Sequence, residues 1–161
     1  MHMHLLSLRC ETPVELPCMC AGIRRASRAL TQMYDDALRP LGLHATQFSI
    51  LQALELAGEV SQSQLSTLLF IDSTTLTRNL RILRKKGWIT VRAGADRRER
   101  WLRLAPLGGR ELQRAMPVWE RVQKRLQHKL GDARWCDLQK LSNAIVDIVA
   151  NSRMEGVSNE N

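Results

Sequence analysis

Between Ser73 and Lys85 the side chains alternate in a way that has chemical content. At about 100° per residue, Leu76, Leu80 and Leu83 fall on one side of a helix and Thr74, Arg78, Arg81 and Lys85 on the other, with Ser73, Thr75 and Thr77 adding short hydroxyls near its start. Threonine can touch a phosphate or a thymine methyl, and arginine can fork onto O6 and N7 of guanine, so such a face suits a helix lying in a major groove. The N-terminus of the helix also turns partial positive charge toward any phosphate beside it. The competing reading is an ordinary solvated charged face, the usual meaning of scattered lysine and arginine.

The distribution of charge argues against that bland reading. The 161 residues carry 24 basic and 16 acidic side chains, a net charge of +8. The window from Ser73 to Arg103 holds ten of the basic residues and only Asp96 and Glu99 as acids, so the whole excess lies there. A localised basic patch is the footprint of a polyanion binder, with nucleic acid the leading candidate. Part of the patch is a polar tip, residues 93–99, between two strand-like runs. Arg97, Arg98 and Arg100 there could enter a narrow minor groove next to the helix. Asp96 is placed to pair with Arg98 or with an arginine of the preceding helix and hold the tip in shape.

Composition removes other classes. With 44% apolar and 25% charged residues the chain is globular rather than disordered. No apolar run reaches the roughly 18–20 residues of a membrane helix, and no secretory signal is expected. Aromatics at 4% are too few for a base-stacking platform. Four cysteines are too few for a disulfide scaffold, so a reducing cytoplasm is expected. There is no glycine-rich phosphate loop, zinc-ligand spacing or nucleophile elbow, so neither an enzyme nor a cofactor is expected. His2 and His4 with Met1 and Met3 are assigned nothing.

The elements that must position these groups follow from periodicity and caps. Residues 1–16 read as a loosely ordered arm. A first helix runs from about Pro17 to Arg39, with a stripe of Cys20, Ile23, Ser27, Leu30, Tyr34 and Leu38. A second covers Gln47 to Ala57, with Gly58 as its stop. Ser61 to Gln64 is a capping box opening a brief third helix that ends near Phe70. Asp72 caps the fourth, Ser73 to Lys86, closed by Gly87. Strands follow at Trp88–Arg92 and Arg100–Leu104. Pro106 starts a fifth helix to about Leu130, and a sixth follows Gly131 with Trp135, Leu138, Leu141, Ile145, Ile148 and Val149 as its stripe. The tail from Ser152 reads as frayed. The short helices and the hairpin can close a core of their own. The three long helices bury their stripes most readily against a second copy, which predicts a two-fold homodimer.

Ser73-Thr74-Thr75-Leu76-Thr77-Arg78, then Leu83-Arg84-Lys85-Lys86-Gly87-Trp88-Ile89, Asp96-Arg97-Arg98 and Leu104-Ala105-Pro106-Leu107-Gly108 together resemble the winged helix-turn-helix of MarR-type transcription regulators. The resemblance covers roughly residues 17–150. It implies a mainly α fold with a small β-hairpin wing, a winged helix-turn-helix lobe on a helical dimerisation lobe. The divisions expected are a flexible arm at 1–16, a dimerisation helix at 17–40, a DNA-binding lobe at 41–105, dimerisation helices at 106–152 and a flexible tail at 153–161. It implies a dimeric regulator, a repressor, on double-stranded pseudo-palindromic operator DNA. Arg98 would be the wing arginine and Asp96 its paired acid. Ser61, Ser73, Thr74, Thr75, Thr77, Arg78, Arg81, Lys85, Arg97, Arg98 and Arg100 form the expected DNA-binding set. Ala105 departs from the family, which usually has a threonine capping the fifth helix, and Pro106 at the first helical position is expected to offset that loss.

The resemblance also bears on release. Effector pockets of the family lie between the dimer helices and the DNA lobe, commonly for small aromatic or phenolic anions. Its organic-hydroperoxide sensors keep a reactive cysteine early in the first helix, a place Cys20 resembles, with Tyr34 like one of the tyrosines near it. Cys136 of a second copy could resolve the oxidised thiol. Cys18 and Cys20 lie about 200° apart around a helix, so they cannot share a face. Arg24 and Arg25 add positive charge nearby. Structural thiols, a soft-metal or arsenical site from Cys18 and Cys20, a winged-helix protein–protein module, and a small thiol redox protein using Cys18 and Cys20 remain as alternatives.

Overall fold

The computed structural model describes residues 18–94, 96 and 99–158. Ten elements follow one another: α1 (Met19–Leu38), a 3-10 turn (Arg39–Leu41), α2 (Ala45–Ala57), β1 (Glu59–Ser61), α3 (Gln62–Leu69), α4 (Ser73–Lys85), β2 (Ile89–Ala93), β3 (Arg100–Leu104), α5 (Pro106–Leu130) and α6 (Asp132–Ser158). The fold is therefore mainly α with one small sheet. The expected arm at 1–16, Pro17, and residues 159–161 lie outside the described residues.

Several boundaries differ from the sequence reading, each for a local reason. Cys18 has extended backbone and precedes α1 rather than lying inside it. α2 starts at Ala45, earlier than Gln47, because Asp35 of α1 accepts the Ala45 N–H at 2.6 Å and so satisfies a free helix-end donor from ten residues away. β2 is displaced by one residue, to Ile89–Ala93, since Gly87 turns left-handed at φ 70° and Trp88 still belongs to the turn. α6 continues as helix to Ser158 instead of fraying from Ser152. α5 runs on through Pro117, although that residue has no N–H to offer the preceding turn.

The sheet has one strand more than the expected hairpin. β3 lies between β1 and β2, antiparallel to both. Val91 and Val60 both stand opposite Leu102, which is buried. β1 is only three residues long, too short for alternation to reveal it. Its last residue, Ser61, also caps α3: the Gln64 N–H donates to Ser61 Oγ at 3.1 Å, and the Ser61 N–H donates to Gln64 Oε1 at 2.8 Å. The expected capping box is thus present, anchored in the sheet.

The core belongs to the segment from Leu38 to Leu102 together with the first turns of α5. Leu38, Ile50, Leu51, Leu65, Leu76, Leu83 and Leu102 are essentially sealed from solvent, and Leu112 and Ala115 of α5 join them. α6 contributes nothing to this core. Its apolar stripe lies open, with Leu138, Leu141, Ile145, Ile148 and Val149 exposed. Along α1 the stripe closes gradually, from exposed Cys20 and Ile23, through half-buried Leu30 and Tyr34, to buried Leu38.

α5 can start where it does because Gly108 carries no side chain. A Cβ there would collide with the Trp88 carbonyl oxygen and crowd Leu104, and that same carbonyl accepts the Ala105 N–H at 2.9 Å. Ala105 supplies no side-chain cap, while Pro106 occupies the first turn. Gly108→Ala is expected to destabilise the fold by about 1–3 kcal/mol, the usual penalty of overpacking. Denaturant unfolding with an unchanged midpoint would show that the approach is looser than described.

Candidate nucleic-acid interface

Burial of Leu76, Leu80 and Leu83 leaves the opposite side of α4 to solvent. Ser73, Thr74, Thr75, Thr77, Arg78, Arg81 and Lys85 are all exposed, and Ser73, Thr74, Thr77, Arg78 and Arg81 line an open hollow of about 450 Å3. The sequence set on this helix is therefore brought together on one face.

Two of its hydroxyls also have structural duties. Thr77 Oγ1 accepts from Gln62 Nε2 of α3 at 3.0 Å, which braces the two helices against each other. Gln62 was not singled out in the sequence, where nothing links positions fifteen apart. Thr75 serves the cap: its N–H donates to Asp72 Oδ1 at 2.8 Å. The Thr75 hydroxyl first, and then backbone N–H groups, hold the Asp72 carboxyl below the usual aspartate range.

Ser61 is taken up by structural contacts rather than held out toward solvent. It is 5% exposed, and its Oγ is occupied by the Gln64 N–H and by Ser63 Oγ at 2.9 Å. This corrects its place among the expected DNA-binding residues: the hydroxyl is needed to start α3. With its neighbours Ser63 and Thr67, and with Ser73, Glu99 and Arg100, Ser61 lines the floor of a cleft between α3, the start of α4 and β3.

Of the wing residues, Arg100 is exposed at the start of β3 and Asp96 is exposed near the tip. Arg97 and Arg98 lie outside the described residues, and with them the expected pairing of Asp96 with Arg98. Two cations of the basic window are engaged elsewhere. Arg92 of β2 forms a two-pronged ion pair with Glu59 of β1, at 2.7 and 2.9 Å, and lies 5.3 Å from the Trp101 ring of the strand between them. The guanidinium holds the Glu59 carboxyl below its ordinary range. Lys86 donates to the Gly42 carbonyl at 2.6 Å and sits 4.2 Å over Trp88.

The expected redox residues are not assembled. Cys18, Cys20 and Cys136 are free and exposed. Cys18 lies just outside α1, which corrects the picture of both thiols on helical backbone. Tyr34 follows Cys20 on the same helix by fourteen residues, or about 21 Å at the helical rise. Within one chain it cannot reach that thiol. It is instead half-buried, and burial pushes its phenol up from the ordinary value. Among the described residues no three His, Cys, Asp or Glu side chains cluster as metal ligands, and no helix is long and apolar enough to cross a membrane.

A small antiparallel sheet, a braced pair of short helices and a cationic outer helix define a winged-helix protein. Comparison with known proteins agrees in detail. The MarR family model matches residues 41–99. The M. tuberculosis transcriptional regulator MosR, solved in complex with DNA, is 38% identical, covers 84% of this chain and 98% of its own, and superposes with a TM-score of 0.75. MarR from E. coli, a cysteine-to-serine variant solved with operator DNA, shares the fold at 22% identity and TM-score 0.69, over 79% of this chain and 92% of its own. An uncharacterised HTH-type transcriptional regulator of Bacillus subtilis, YwoH, is 31% identical over 78 residues. That match takes in 48% of this chain and 57% of the relative's length. The chain belongs to the MarR family of winged-helix transcriptional regulators.

Because the folded Asp72 carboxyl titrates below its ordinary value of about 3.9, its cap stabilises α4 fully at neutral pH, and that stabilisation disappears as pH falls through the lower folded value. Asp72→Asn keeps an N-cap acceptor and removes the titration. Thermal melts between about pH 7 and pH 3 should therefore show a shallower acid-side loss for the variant; identical slopes would exclude Asp72 as a contributor.

Proposed function

We propose that the protein is a dimeric, sequence-specific DNA-binding repressor of a pseudo-palindromic operator. The observation that carries this reading is the outer face of α4, where hydroxyls and arginines stand together on a helix held by its buried leucines. Each subunit inserts residues 73–85 in a major groove. The wing, with Arg97, Arg98 and Arg100, lies along the flanking minor groove. Cleft residues Ser63 and Thr67 are within the same surface. MosR, at 38% identity, is solved bound to DNA, which supports the reading. A winged-helix module for protein assembly would need an apolar patch on α4, and that face is cationic.

The open apolar stripes support the dimer. Leu141 is 62% and Ile148 65% exposed on α6, and Met19 is 75% exposed on α1. Each such side chain gains roughly 1.5–3 kcal/mol on full burial, so a second copy seated on α1, α5 and α6 is the natural cover. Half-sites about one helical turn apart then match the two-fold axis. Release acts through the separation of the two lobes: an effector, or oxidation at Cys20 with Cys136 of a second copy as resolving thiol, favours a spacing that fits the operator less well.

Arg78→Ala should lower operator affinity by about tenfold or more and relax base preference at one position. Arg98→Ala should weaken binding on all duplexes alike. Titration of matched and mismatched duplexes checks both, and unchanged affinity in the two variants together rejects the interface. Sedimentation should give a dimer; a stable monomer that still selects the operator would reject the two-fold arrangement.

Cys20→Ser should bind operator normally and become indifferent to hydroperoxide. A wild-type protein equally indifferent to hydroperoxide removes the oxidation branch.

A further inference from the structure

Gln62, the first residue of α3, stands beside the outer face of α4 without belonging to it. Its Nε2 donates to Thr77 Oγ1 at 3.0 Å, across fifteen residues of sequence. Thr77 is exposed and lines the open hollow on α4 with Ser73, Thr74, Arg78 and Arg81. Gln62 is half-buried and lines the neighbouring cleft instead. One side chain therefore faces the proposed groove, and the other holds it from behind.

A hydroxyl carries one hydrogen and two lone pairs. With an amide N–H aimed at Oγ1, the hydroxyl hydrogen cannot point back toward α3. Inside a helix the usual acceptor for a threonine hydroxyl is the carbonyl one turn earlier, here that of Ser73. Among the described residues, however, Thr77 Oγ1 makes no hydrogen bond besides the one from Gln62. The hydrogen is left to the solvent side, and the incoming N–H polarises the O–H so that it donates more strongly. We infer that Gln62 determines specificity through Thr77: it sets the hydroxyl as a donor toward one base pair of the major groove, favouring guanine or thymine there over cytosine. Guanine and thymine present acceptors in that groove, whereas the polar group of cytosine is its N4 amino donor. The inference rests on the reading of α4 as the helix inserted in the groove. Gln62 is on this account a positioning residue, since it need not touch the duplex itself.

Duplexes bound by the full chain at neutral pH are selected from a random pool, and Thr77→Val marks the base pair whose preference depends on the hydroxyl. At that pair the wild type should bind guanine or thymine at least about fivefold more tightly than cytosine. Gln62→Glu keeps the shape but can only accept, so the Thr77 hydrogen turns inward and its lone pairs outward. This variant should bind all duplexes more weakly for its added negative charge, and at the marked pair alone it should prefer cytosine to guanine. Gln62→Met makes no such hydrogen bond and should bring the two bases close to parity; it also serves where the added charge of the glutamate abolishes binding. A wild-type preference for cytosine, or a preference that neither variant changes, overturns the inference. Weakening of every duplex alike with the preference intact does so too, because that is what a purely structural brace gives. Thr77→Val acting equally on all sequences has the same force, since the hydroxyl then meets a phosphate. A wild type that selects no sequence rejects the DNA-binding regulator and the inference with it, whereas clear selection with an unaltered preference in the Gln62 variants rejects the inference alone.

Discussion

The roll of α4 about its own axis is the constraint on which the surface depends. Leu76, Leu80 and Leu83 enter the core, and at helical spacing three buried positions leave a single orientation for everything else. Thr74, Arg78, Arg81 and Lys85 point outward as a consequence, without any contact of their own to hold them there. The Asp72–Thr75 cap fixes where the helix begins, and the Gln62–Thr77 bond fixes how it leans on α3. Packing, capping and a side-chain brace together fix the face that α4 presents.

The two ends of the molecule obey different rules. The lobe from Leu38 to Leu102 seals itself with help from α5, which contributes buried Leu112 and Ala115 and packs Met116, Val118 and Trp119 against it. α6 and the N-terminal half of α1 leave their apolar stripes open. α1 spans both regimes, and Asp35 is one link between them: near the helix's buried end, its carboxylate accepts the first N–H of α2. A tilt of α1 is therefore felt directly at the start of the lobe rather than through a flexible link.

Most of the fold was legible because it rests on local signals. Helix stripes, the Ser61–Gln64 box, the Asp72 cap and the glycines at 58 and 87 each announce themselves within a few residues. What escaped has non-local causes. β1 is three residues that become a strand only because β3 lies beside them. The start of α2 depends on a carboxylate ten positions earlier. Ser61 reads as an exposed hydroxyl beside a basic helix, and only the sheet buries it. The site was less legible than the fold for the same reason. Spacing placed the α4 face, but it could not show that Gln62 braces Thr77.

The clasp of Arg92 on Glu59 has a thermodynamic consequence. Salt sensitivity of binding to a polyelectrolyte reports how many condensed counterions are set free, which is the number of phosphates neutralised. Arg92 is already balanced by the Glu59 carboxylate within the folded chain, so it sets fewer such ions free, whereas Lys86, held by a neutral carbonyl and a ring, keeps its full charge. The window's formal charge consequently overstates the ionic-strength dependence that the surface can generate.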